Sequence, residues 1–390
     1  MSVVIKPGVI VAPAPGNQDF CVVTVVAQVP GAVLTGDDLK RLALAASETE
    51  AARSLSREGH ITSFRRQDDH VLAVAIGPGG STRYLATALD RALATADPAV
   101  TSAPSRPSID DDVEELTDAV FRRHSDSQLP PLAAVQPDDI VERLRDAPRT
   151  FVAVVPAEQV ASAVTQLVGI AGSAPQQRHK DLLPGGIDLP PLTVLESMVP
   201  AGPSVVVTTP VTSATASERA LLSSLIGRIL GGTPSALLPR TLEDRGYGTY
   251  SVEAAIGQAA GHDVLSVRVW LSDSVLEDVT EIVLDTLSRL VSLLADRSLI
   301  SGARRSLSAG YHLSHFQSAA LAAGLASFVT AGFRPEDYLE ATAVISQTSD
   351  DAVLRSVAEI ERAGRVIVVT GIPEGADRLR AWASRKEATS

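Results

Sequence analysis

The chain has 390 residues, 45% hydrophobic and 21% charged, so it can bury a large core and is not of disordered composition. Its length suits two or three domains. Lysine and arginine number 34 against 46 aspartates and glutamates, a net charge of −12, which argues against a nucleic-acid groove or an anionic membrane surface as the main partner. Cys21 is the single cysteine, which excludes an intrachain disulfide and a cysteine zinc cluster. Residues 1–16 carry only Lys6 as a side-chain cation and are broken by Pro7, Pro13 and Pro15, unlike a secretory leader. The most apolar stretch, 151–174, is interrupted by Pro156, Glu158 and Gln159, unlike a membrane span. The expectation is a cytoplasmic protein.

Hydrophobic periodicity places a first strand at 22–29 and a helix at 37–56 that Gly59 ends. Two strands follow at 61–66 and 71–76, then the turn Gly77-Pro78-Gly79-Gly80-Ser81 and a helix to about 96. Helices are predicted at 110–124 and 137–145, a buried strand at 151–155 and a helix at 157–170. Residues 172–202 are rich in glycine, proline and polar groups and read as a linker. The order then recurs: strand 205–209, helix 216–230, strands 249–255 and 264–271, a helix at 274–294, further helices over 298–360 and a last strand at 365–370. The expected fold is α+β, with two tandem halves, each a mainly antiparallel sheet covered on one face by helices. The expected boundaries are 1–175, a linker at 176–202, and 203–390.

Residues 229–252 are the most distinctive. Leu230-Gly231-Gly232, Ser235-Ala236-Leu237, Glu243, Gly246-Tyr247 and Tyr250-Ser251-Val252 follow one another in an order that resembles the second-half motif of the insulinase-type (M16) metallopeptidases, the family of the mitochondrial processing peptidase. Asp337-Tyr338-Leu339, the run 344–351 and the strand Val366-Ile367-Val368-Val369-Thr370-Gly371 also resemble that family, and two consecutive halves suit it. Fragment by fragment, Gly231-Gly232 also reads as a helix C-cap and Gly246-Tyr247 as a turn.

The resemblance implies a zinc site built on His-x-x-Glu-His, where imidazoles at i and i+4 share a helix face and the glutamate activates the bound water. The seven histidines, at 60, 70, 124, 179, 262, 312 and 315, form no such motif. The nearest register puts Ser47 and Ala51 where the imidazoles belong and leaves Glu50 as a relic. No catalytic or metal-binding residue is therefore assigned to this chain. The family also implies an Arg-x6-Tyr pair holding the substrate carbonyl. Here Leu242 takes the arginine's place, Tyr250 matches the tyrosine, and Arg240, Tyr247 and Arg245 are nearby substitutes.

His312 and His315 share a predicted helix, but no carboxylate sits at a neighbouring helical position, and the pair reads as a half-buried polar edge. Gly77–Gly80 lacks the Gly-Lys-Ser/Thr of a phosphate loop and reads as a strand-to-helix turn. The implied role is a non-catalytic subunit that pairs with an M16 chain carrying His-x-x-Glu-His. That partner brings the zinc, and this chain brings chamber wall and peptide contacts. The alternative is a structural or assembly protein without a proteolytic partner. Neither reading involves nucleic acid or membrane.

Overall fold

Runs of valine and isoleucine, β-branched and apolar, build two sheets, and amphipathic helices between them supply the cover. The computed structural model describes residues 3–16, 18–29, 36–67, 70–97, 109–124, 137–171, 187–199, 201–211, 216–247, 251–260, 262–330 and 333–387. In chain order the elements begin with β1 (Val4–Lys6), β2 (Val9–Pro13), β3 (Phe20–Gln28), α1 (Gly36–Ser47), α2 (Glu50–Arg57), β4 (Ile61–Gln67) and β5 (His70–Pro78). There follow α3 (Thr82–Ala94), α4 (Ile109–His124), α5 (Pro137–Asp146), β6 (Arg149–Val155), α6 (Val160–Ala171), β7 (Leu192–Glu196) and β8 (Ser204–Pro210). Next come α7 (Ala216–Leu230), α8 (Leu237–Asp244), β9 (Val252–Ala259), β10 (His262–Trp270), α9 (Leu276–Ser288), α10 (Leu290–Leu293) and α11 (Ser298–Ser314). The last are α12 (Ser318–Thr330), α13 (Pro335–Gln347), α14 (Asp350–Arg362), β11 (Arg365–Thr370) and α15 (Gly375–Glu387).

The chain forms two units, and each takes a segment from the other's stretch of sequence. Residues 1–106, 130–181 and 310–340 make the first; 107–129, 182–309 and 341–390 make the second. The first unit holds a sheet ordered β1-β2-β6-β3-β5-β4, with β2 and β6 parallel and the other neighbours antiparallel. The second holds β7-β11-β8-β10-β9, again with one parallel pair, β7 and β11. Past β1 the two orders are the same, so the duplication expected from element order is present in the topology. The α+β class of two mainly antiparallel halves follows directly.

The central strands of each sheet are buried on both faces. In the first unit Val9, Val11, Val23, Val25 and Ala73 pack with Leu42 of α1, Leu85 and Leu89 of α3 and Leu167 of α6. The alternate residues Val22, Thr24 and Val26 are also buried, because α12 lies against β3 and β6. In the second unit α4 covers one face, with Val113, Val120 and Phe121 against Val206, Val366 and Val368. Helices α7 and α9 contact β8, β9 and β10. The strand period of two explains why one set of alternate residues needs a second cover.

The two compact units differ from the expected division into 1–175, 176–202 and 203–390 in that α4 falls in the second unit and α12 in the first. The linker range also contains β7, paired in parallel with β11. Two predicted helices are broken. The one at 37–56 divides at Glu48-Thr49, where the Thr49 hydroxyl caps α2 by accepting from the Ala52 N–H at 3.3 Å. The one at 274–294 divides at Arg289 between α9 and α10. Strands β1 and β2 and helix α15 were not anticipated.

Glycine decides one packing site outright. Gly324 of α12 faces the buried Tyr338, and a Cβ there would stand 2.1 Å from the Tyr338 ring. The ring's hydroxyl is hydrogen-bonded to Ser314 at 2.7 Å. Gly302 of α11 has open space around it.

Two outcomes are expected. Leu321, Leu325, Phe328, Val22 and Val26 would lose burial if α12 were absent, each worth about 1.5–3 kcal/mol, a total comparable with a domain's whole net stability. Fragments 1–175 and 203–390 made separately should therefore show no cooperative unfolding by circular dichroism. In the full chain, G324A should lose about 1–3 kcal/mol by overpacking and G302A should gain about 0.5–1 kcal/mol, both read by chemical denaturation.

Candidate functional site

The first region of interest is the α1–α2 segment. Ser47 ends α1, with its hydroxyl donating to Leu44 O at 2.6 Å, while Glu50 and Ala51 begin α2. The three residues expected to be the relic of a zinc motif thus span a helix break and do not share one helix. Glu50 is exposed and paired with Arg57 at 2.7 Å. No histidine occurs anywhere in α1 or α2. The nearest, His60, follows α2, with its Nε2 3.8 Å from Glu58 Oε2. Glu58 instead accepts hydrogen bonds from the Tyr84 hydroxyl at 2.7 Å and from Ser54 at 3.0 Å. The Tyr84 bond is the main reason the Glu58 carboxyl is held below its usual range and the Tyr84 phenol above its own. Among the described residues no three His, Cys, Asp or Glu side chains are grouped as a metal would need.

The second region is α7–α8–β9. Leu230 closes α7, and Gly232, at φ +78°, donates its N–H to Val252 O at 3.2 Å, which brings the chain back to β9. Glycines at 227 and 231 let the α7 backbone approach β9: a Cβ on Gly227 would lie 2.8 Å from Ala254 O, and one on Gly231 3.1 Å from Ala254 N. At the end of α8, Tyr247 N–H donates to Leu242 O at 3.0 Å and Gly246 N–H to Glu243 O at 2.9 Å, with Gly246 at φ +82°. That pair of bonds is a Schellman closure, which requires a left-handed residue at the Gly246 position.

Of the residues proposed for substrate contact, Tyr247 donates its hydroxyl to Asp278 at 3.0 Å, and Arg245 pairs with Asp285 at 3.5 Å. Both fasten the end of α8 to α9. Arg240 is exposed on α8, and Tyr250 lies outside the described residues. The structure therefore brings Tyr247 and Arg245 to α9 and leaves Arg240 on the surface.

Sequence reasoning missed the groove beside these residues. A cavity of about 410 Å³ opens between α7 and β9, lined by Ser224, Gly227, Arg228, Gly231, Ala254 and Ile256, with Leu307 at its side. The available signal was the pair of glycines four apart on one helix face.

The histidine pair is structural. His312 is exposed, whereas His315 meets the Tyr338 ring edge-on at 5.4 Å, beside Tyr311 and Phe328. His315 Nε2 is buried without a hydrogen-bond partner. Burial first, and His312 second, hold this imidazole below its usual value. The folded state therefore keeps it neutral while the unfolded chain takes up the proton near pH 6.5. Its contribution to stability is present above that pH and is lost as pH falls below it. Between pH 7.5 and 5 the Tm of the wild type should fall more than that of His315→Phe.

No family model and no curated protein matches the sequence. Solved structures do match. The peptidase M16 inactive domain from Pseudomonas fluorescens aligns over 95% of this chain and 98% of its own, with a TM-score of 0.65 and 12% identity. A chain of Complex III2 from Candida albicans aligns over 96% and 97%, with a TM-score of 0.64 and 13% identity. Pitrilysin aligns over 93% of this chain but 43% of its own, with a TM-score of 0.62 and 13% identity. The chain has the M16 peptidase fold. The zinc such peptidases carry finds no fit in this chain: an i, i+4 imidazole pair is missing from α1 and α2, and the carboxylate beside the one nearby histidine is engaged by Tyr84 and Ser54. No described helix is long and apolar enough to cross a membrane.

Proposed function

We propose that this chain is the non-catalytic subunit of a two-chain M16-type zinc metallopeptidase, forming part of the substrate chamber and holding extended peptide. The observation that carries the reading is an M16 fold whose helices α1 and α2 contain no histidine. Similarity to an M16 domain described as inactive supports it. On this reading the partner subunit carries His-x-x-Glu-His and the zinc, since hydrolysis needs a metal-bound water and a general base that this chain does not supply. Peptide holding is supported by the edge strands that end each sheet, since an edge strand can accept an extended chain by pairing with it.

A second reading is favoured by one observation, the equally full alignment with a chain of Complex III2. On that reading the fold serves assembly alone, without a proteolytic partner.

Purified alone, the chain should hydrolyse no unfolded peptide and bind no stoichiometric zinc. Co-expressed with a His-x-x-Glu-His chain encoded beside it, it should co-elute as a complex whose peptidase activity exceeds that of the partner alone. One tightly bound zinc per lone chain would overturn the proposal, and a complex with no gain in activity would favour the assembly reading.

A further inference from the structure

We draw no further inference here: the strongest candidate, the apolar patch of Leu313 and Phe316, 65% and 69% exposed where α11 turns into α12, carries nothing because nothing in the structure shows what covers it.

Discussion

Two sheets, each with central strands apolar on both faces, set the problem that the rest of this molecule solves. Strands such as β3, with seven consecutive buried residues, cannot leave one side in water, and the helices adjacent in sequence cover only one side. The second cover comes from elsewhere in the chain: α12 for the first sheet and α4 for the second. The halves are duplicated in topology but not separable as pieces of sequence, because each needs a helix encoded within the other's stretch. Side-chain detail follows from that exchange, as where Gly324 exists to let α12 pass Tyr338.

The two edges of the second sheet are closed by different means. β7 is covered by α15: Arg380 donates to Val194 O at 2.9 Å, and the Ala376 N–H reaches Glu196 at 3.3 Å. α15 is itself locked to α9 by Arg378 with Glu277 and by Lys386 with Glu281. At the other end of that sheet, β9 is met by α7, whose Gly227 and Gly231 bring the helix backbone against Ala254. One edge is thus closed by side-chain hydrogen bonds and the other by a closely approaching helix.

The absence of His-x-x-Glu-His and the retention of the fold are independent here because they rest on different residues. The first-unit core is made by Leu42, Leu55, Leu85 and Leu89, none of which a metal requires. In the α1–α2 stretch, which carries no imidazole, the chain ends α1 and recaps with Thr49.

Much was legible from residue order alone. The β-branched runs located most strands, the 3.6-residue periodicity located most helices, and the absence of His-x-x-Glu-His is a property of the sequence that no folding can alter. Local signals failed where tertiary partners decide. β7 is a short segment within a proline-rich stretch and becomes a strand only because β11 is there to pair with it. β2 is a strand because it lies parallel to β6, distant in sequence. The break at Thr49 was written in its capping chemistry but hidden by continuous helical periodicity. Tyr247 and Arg245 were singled out as substrate contacts, yet their partners, Asp278 and Asp285, come from a helix encoded some thirty to forty residues later. Sequence determined the elements, the duplication and the missing imidazoles, because these depend on residue identity and short-range spacing. Tertiary structure decided which helix covers which sheet face and which charged side chains pair, because burial and charge pairing are settled between residues far apart in the chain.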